Sequence, residues 1–160
     1  MFRSVANGPT PTTEPDVAPT LDGMDLSPRT ASRVTAAALA GMGAFQAGLA
    51  AGAPWGPFAY GGTHPGRLPT THRQVSAGAA VGYIAGAIFI AVRRGDPVVQ
   101  RRVLTGVTGF MAVGAALNLA SRSRAERLWS PVCAATALTA WRARDGFPAR
   151  SRTLRPERIR

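Results

Sequence analysis

Three side chains suited to acid–base chemistry, His64, His72 and Glu126, lie outside the long apolar blocks of this chain. With nearby arginines, they are the residue types of an acid–base site or of a site for a lipid phosphate. The signal is weak, because two histidines in a Gly- and Pro-rich segment are not a typical metal-ligand pattern. No nucleophile elbow, phosphate loop or dinucleotide motif is present. The simpler interpretation is that Glu126 pairs locally with Arg122 or Arg127, so we assign no catalytic, cofactor-binding or metal-binding residue and expect no cofactor.

The net charge of +11 comes from 19 basic residues, all of them arginine, against eight acidic ones. A basic chain can bind nucleic acid, but these arginines cluster at the ends of apolar blocks, and few aromatic residues lie between them to stack on bases. Charges in that position orient a membrane protein and face lipid headgroups. We therefore expect no nucleic-acid partner. The single cysteine, Cys133, excludes an intramolecular disulfide.

Four apolar blocks without charged side chains separate the polar segments and must position them. Residues 34–52, 75–92 and 103–120 are each near the roughly 20 residues that a helix needs to cross a bilayer. An alternative for the first block is the core of a signal peptide cleaved at the small residues 51–53. The fourth block, residues 128–141, has the length of a buried helix in a soluble protein. Trp129 and Trp141 at its ends are typical of the membrane interface, so we predict a short fourth span.

The two ends of the chain differ from this apolar region. Residues 1–33 contain many Pro and Thr and have little apolar surface to bury, so they are predicted to be a disordered tail. Residues 142–160 form a second polar tail with seven arginines. The predicted fold is therefore all-α: an up-down four-helix transmembrane bundle over residues 34–141, with a disordered N-terminal tail and a basic C-terminal tail.

The distribution of arginine predicts the orientation. With the N-terminus inside, fourteen arginines lie in the inner segments and five in the outer loops, and an excess of positive charge is typical of cytoplasmic segments. Both termini are therefore predicted to be cytoplasmic, in the cytoplasmic (inner) membrane of a bacterium. The C-terminal tail is predicted to bind the anionic lipids of the inner leaflet; the alternative is a tail that is merely solvated.

Gly78, Gly82 and Gly86 recur every four residues in the second block, which places them near one face of a helix. Residues without a Cβ let a neighbouring helix approach closely in lipid. Two interpretations are open: the glycines pack against another helix of the same chain, or they form the interface of a homo-oligomer.

Two loops that leave the same face of an up-down bundle are predicted to form one surface, the outer-face patch. Residues 52–69 (GAPWGPFAYGGTHPGRLP) combine aromatic residues with many Gly and Pro, which favours an ordered loop at headgroup depth. Residues 118–131 (NLASRSRAERLWSP) hold one carboxylate and three arginines, and we predict that Trp55 and its loop fold over these arginines. The patch consists of Trp55, Tyr60, His64, Asn118, Arg122, Glu126, Arg127 and Trp129.

The same two loops carry a resemblance to a known family. The string GAPWG followed by GG and LP, and the string NLASRSRAERLWSP before the last block, resemble a family of small uncharacterised bacterial integral membrane proteins with four predicted helices. The resemblance covers residues 34–141 and excludes both tails. It implies the four-helix topology and supplies no activity, cofactor or site residue.

The function predicted from these features is non-enzymatic: a structural, regulatory or partner-binding role through the outer loops. The first alternative is a component of a transporter or channel, although the four blocks contain no ionisable side chain of the kind that ion-coupled transport uses. The second alternative is a lipid-modifying enzyme, which would need His64, His72 or Glu126 to converge with arginines. The expected partner is either another membrane protein or a second copy of this chain.

Overall fold

The computed structural model describes residues 26–148, which form helices joined by loops and contain no β-strand. The α-helices are α1 Pro28–Ala51, α2 Thr70–Val92, α3 Pro97–Ala120, α4 Arg124–Arg127 and α5 Trp129–Arg144. Two short 3-10 turns, Gly56–Phe58 and Tyr60–Gly62, lie in the loop between α1 and α2. The all-α prediction is confirmed over this range. Residues 1–25 and 149–160 of the predicted disordered N-terminal tail and lipid-binding C-terminal tail lie outside the described residues. Residues 28–33 are helical and not disordered, and residues 142–144 belong to α5.

All three long helices begin before the uncharged blocks do, and capping residues precede α1 and α3. Ser27 caps α1, where its Oγ accepts a hydrogen bond from the N–H of Thr30 at 3.2 Å. Asp96 caps α3 by accepting from the N–H of Val98 at 2.7 Å. Proline occupies the start of both helices, where its missing N–H costs no hydrogen bond. Each helix therefore includes arginine-bearing turns that a search for uncharged residues leaves out.

α1 packs against both α2 and α5, and α3 packs against α5. Hydrogen bonds show that the members of two of these pairs run in opposite directions. At the start of α2, Arg73 donates from Nε to the carbonyl of Ala50, near the end of α1, at 2.9 Å. At the start of α5, the Ser130 hydroxyl donates to the carbonyl of Ala115 in α3 at 2.9 Å. By contrast, α2 and α3 rarely approach each other, which leaves a groove between them.

The interior between the helices is built from small and flexible side chains. The buried apolar residues of this core include Leu39, Met42, Ile90, Leu104, Met111, Cys133, Ala137 and Ala140. A polar contact joins α1 to α5 within it, where the Thr35 hydroxyl donates to Oγ1 of Thr139 at 2.9 Å. Alanine and threonine let helices approach closely, which is how helices gain contact area in lipid.

Three helices, α1, α2 and α3, are long and apolar enough to cross a membrane, judged by length and composition. Large apolar side chains also point outward from them: Val81 of α2 is 70% exposed and Leu117 of α3 is 68% exposed. Extensive exposed apolar surface is unfavourable in water and suits contact with lipid. α5 has 16 residues and is not one of the three membrane-capable helices.

The glycines of α2 lie mostly against open space. A Cβ built at Gly78 or Gly82 would meet no atom of the described chain within 4 Å, and one at Gly86 would meet a single side-chain atom at 3.7 Å. Gly78 and Gly82 therefore provide no close helix contact within residues 26–148, because α2 and α3 diverge. The homo-oligomer interpretation stays a prediction. Close approach occurs instead on α1, where a Cβ at Gly43 would lie 2.6 Å from Cγ1 of Ile84.

Candidate functional site

The loop between α1 and α2 and the segment between α3 and α5 lie against each other at one end of the helices. The Ser123 hydroxyl donates a hydrogen bond to the Pro57 carbonyl at 2.9 Å. Ser123 also packs on Gly62, where an added Cβ would lie 2.6 Å from the serine Cβ. Residues 52–69 and 121–128 thus form one unit, here called the loop cap. The prediction that the two loops share one surface is confirmed.

Glu126 also joins the two halves of the loop cap. Its Oε1 accepts a hydrogen bond from the N–H of Gly61 at 3.1 Å, and its Oε2 accepts one from the Ser121 hydroxyl. Ser123 is the N-cap of α4, so Glu126 stands at the third helical position, from which a glutamate side chain reaches back past the N-cap. The carboxylate is therefore directed at the neighbouring loop.

The arginines of the loop cap do not pair with Glu126 in the part of the chain that the structure describes. Arg127 donates from Nε to the carbonyl of Ser121 at 2.8 Å, and Arg122 is exposed. The ion pairs of the described residues involve Asp145, at the opposite end of the helices. The predicted local pairing of Glu126 with Arg122 or Arg127 is therefore wrong: the carboxylate is directed at the Gly61 N–H and the Ser121 hydroxyl, and Arg127 binds a backbone carbonyl instead.

An aromatic stack anchors the loop cap to α1. The ring of Trp55 lies parallel to that of Phe45, with centroids 5.7 Å apart, and Trp129 contacts Phe45 with centroids 4.6 Å apart. The Trp55 ring occupies the space that a Cβ at Gly48 would fill. Trp55 therefore covers α1 and not an arginine, which corrects the predicted contact. The sequence analysis does not single out Phe45. Phe45 lies three residues before Gly48, so both lie on one face of α1, and an aromatic residue beside a glycine on that face could have indicated a packing site.

Tyr60 attaches the loop cap to the start of α2. Its hydroxyl donates to the carbonyl of His72 at 3.1 Å and lies 2.9 Å from Oγ of Ser76. The Tyr60 ring meets the His72 ring edge-on, with centroids 4.6 Å apart, and His64 lies 4.9 Å from His72 on the same measure. The two histidines thus pack against each other, and His72 also packs against Tyr60. Among residues 26–148, no group of three His, Cys, Asp or Glu could hold a metal ion.

A cavity of about 290 Å³ lies beneath the loop cap. Its lining includes Phe45, Gln46, Phe58, Tyr60, Tyr83, Asn118, Glu126, Trp129 and Cys133. The Gln46 Oε1 is buried and accepts no hydrogen bond from the described residues, so an apolar group that carries a donor would satisfy it. Sequence reasoning missed Gln46, although a strongly polar side chain inside an uncharged block was a signal in itself.

The structure brings half of the outer-face patch together around this cavity and leaves the rest at its edge. The members that line the cavity are Tyr60, Asn118, Glu126 and Trp129. Trp55 and His64 lie in the loop cap outside that lining, and the exposed Arg122 and Arg127 lie on its surface. Asn118 donates from Nδ2 to Sγ of Cys133 at 3.6 Å, so its amide is directed into the helix bundle.

The fold and the cavity define an all-helical protein with three membrane-capable helices and a capped end. Comparisons with protein-family models, with curated proteins and with solved structures found no match to this chain. The resemblance of the loop motifs to a family of small bacterial membrane proteins therefore stays a prediction.

Proposed function

We propose that this chain is a four-span protein of the bacterial cytoplasmic membrane that binds a partner membrane protein through its loop cap, without catalysis. The fourth span is α5, which is roughly 24 Å long at 1.5 Å per residue, short of the roughly 30 Å hydrocarbon core. Its packing against α1 and α3 supports this assignment. So does its end, where the Arg144 guanidinium lies 3.3 Å from the ring centroid of the half-exposed Trp141, since such residues reach the interface from short spans.

The arginines support an orientation with both termini in the cytoplasm. The end of the helices opposite the loop cap, here called the arginine end, carries Arg29, Arg33, Arg93, Arg94, Arg101, Arg102, Arg142 and Arg144. The end with the loop cap carries fewer: Arg67, Arg73, Arg122, Arg124 and Arg127. Positive charge close to the ends of spans favours the cytoplasmic side. We therefore assign the arginine end to the cytoplasm and the loop cap to the outside.

The double anchoring of Glu126 is the observation that carries the binding proposal. Because both of its carboxylate oxygens hold groups of the loop cap, the loops are ordered before a partner arrives, and a preorganised surface avoids the entropy cost of ordering on binding. Trp55 and Phe58 remain 41% and 39% exposed on this surface. Exposed aromatic residues beside a small cavity are typical anchors of a binding site. The group that enters would be apolar and would carry one donor for Gln46.

Site-specific photo-crosslinking in native membranes tests this function. A photoreactive phenylalanine analogue at Phe58 is compared with the same analogue at Val81, which is exposed on α2 outside the cavity lining. We expect a discrete protein adduct from position 58 that disappears when Glu126→Ala loosens the loop cap, and only lipid adducts from position 81. The same protein adduct from both positions, or none from position 58, would refute binding through the loop cap.

A further inference from the structure

A second cavity, of about 330 Å³, lies at the arginine end between α1 and α2. It is lined by Arg29, Ser32, Arg33, Ile90, Ala91 and Arg93. Half of these residues carry a positive charge and none is acidic. Like charges gathered around a concave surface raise its electrostatic potential and attract an anion.

Arg93 is held in place from two sides. It follows α2 directly, and its Nη1 donates a hydrogen bond to Oγ of Ser32. Its guanidinium also lies 4.6 Å from the centroid of the Phe147 ring. Ser32 is itself buried and donates to the carbonyl of Pro28 at 3.0 Å. The fold therefore positions this charge without a carboxylate, and a guanidinium has further N–H donors with which to bind a ligand.

Arg29 and Arg33 complete the cationic side of the cavity. They stand four residues apart on α1 and so occupy one face of the helix. Both are exposed, and within residues 26–148 neither they nor Arg93 form an ion pair, since the described pairs are those of Asp145. The first turn of α1 also contains no acidic residue to offset the partial positive charge of a helix N-terminus. The described chain thus supplies no counter-charge for this cavity.

The remaining wall of the cavity is apolar and continues onto a surface suited to lipid. Ile90 is 1% exposed and closes the interior side. Ile88 lies three residues before Ala91, on a neighbouring part of the same helix face, and is 58% exposed. Ile88 lies further than Ala91 from the arginine end. A ligand bound by the arginines would therefore have apolar surface beside it, on the side that faces the membrane interior.

We propose that this cavity binds the phosphate group of an anionic phospholipid, with an acyl chain along α2. Arginine binds phosphate oxygens through charge-assisted and often bidentate hydrogen bonds, and a basic pocket between membrane helices on the cytoplasmic side suits a lipid headgroup. A soluble phosphate would use the arginines but would leave the apolar wall unused. The cavity lining contains no residue of the C-terminal tail or of the loop cap. The proposal rests on the membrane placement of α1 and α2 and on the assignment of the arginine end to the cytoplasm.

The full-length chain in neutral detergent provides the test. Its thermal unfolding midpoint is measured while dioleoylphosphatidylglycerol is added, and again with dioleoylphosphatidylcholine or inorganic phosphate. We expect phosphatidylglycerol alone to raise the midpoint in a saturable manner. The double variant Arg29→Gln/Arg33→Gln should bind it about thirtyfold more weakly, as expected for the loss of two charges near an anionic headgroup. Without lipid, this variant should unfold at the parent midpoint or above, because like charges are removed.

A further double variant serves as the control for total charge. Arg94→Gln/Arg102→Gln removes two exposed arginines of the arginine end that do not line the cavity. It should bind phosphatidylglycerol as the parent does. An equal loss in this control would show general surface attraction and overturn the site. Equal stabilisation by phosphatidylcholine, or by inorganic phosphate, would overturn its assignment to an anionic lipid.

Discussion

The N–H of Gly61 donates a hydrogen bond of 3.1 Å to Oε1 of Glu126, across 65 positions of sequence. This bond couples the loop that follows α1 to the short helix that precedes α5. Gly61 has a φ of 74°, a left-handed conformation that glycine adopts without strain. A side chain at this position would strain the backbone from which the bond is made. The order of each loop therefore depends on the other.

Glu126→Ala should open the loop cap and leave the long helices folded. The variant loses both bonds of the carboxylate, and hydrogen bonds to charged groups contribute roughly 1.5–3 kcal/mol each. We expect amide hydrogen exchange over residues 53–69 to become at least about tenfold faster. Asp145→Ala removes a carboxylate at the arginine end and should leave this loop unchanged. A parent protein whose loop already exchanges freely would contradict the ordered cap.

Gly48→Ala should destabilise the protein, whereas Gly82→Ala should not. A Cβ at Gly48 would collide with the ring of Trp55, while one at Gly82 meets no described atom within 4 Å. Overpacking of this kind costs about 1–3 kcal/mol, and alanine is the better helix former at an unhindered position. Thermal unfolding in detergent, with tryptophan emission as a second readout, distinguishes the two. Greater damage from Gly82→Ala would instead indicate a packed interface on α2 between copies of the chain.

Tyr60→Phe should weaken the attachment of the loop cap to α2. The variant keeps the ring that packs on His72 and loses the hydroxyl that bonds the His72 carbonyl and lies beside Ser76. A neutral hydrogen bond contributes about 1 kcal/mol to the free energy of unfolding. Thr63→Val is the matched control, because it removes an exposed hydroxyl whose hydrogen bonds stay within the loop and do not reach α2. Equal unfolding midpoints for the two variants would show that the Tyr60 hydroxyl contributes little.

Reporter fusions should locate both termini in the cytoplasm and the loop cap outside. A reporter after Arg160 should be active in the cytoplasm, and one inserted within residues 63–73 should be active on the outer side, because the arginine end carries the larger positive charge. Opposite results at both positions would reverse the orientation. Termini on different sides would show that α5 does not cross the membrane.

The helices could be predicted from the sequence because length and the absence of charge are local properties. The search for uncharged residues also predicts starts for α1 and α3 that lie too far along the chain. Ser27 and Asp96 cap these helices, and the arginine-bearing turns that follow the caps are helical although they are charged. The membrane capability of α1, α2 and α3 also follows from composition. That the two loops meet was predictable from the up-down order of the blocks.

Which atoms meet at that end was decided only by the tertiary structure. In the sequence, Glu126 has arginines as near neighbours, and a local ion pair was the natural expectation; the fold places the N–H of Gly61 and the Ser121 hydroxyl at its oxygens. The glycine of α2 at position 82 and the glycine of α1 at position 48 look alike in composition, but only the second has a ring against it. Hydrogen bonds and packing act over a few ångströms in space. Partners separated by scores of residues are therefore set by how the helices pack, and no local pattern of residue types contains that information.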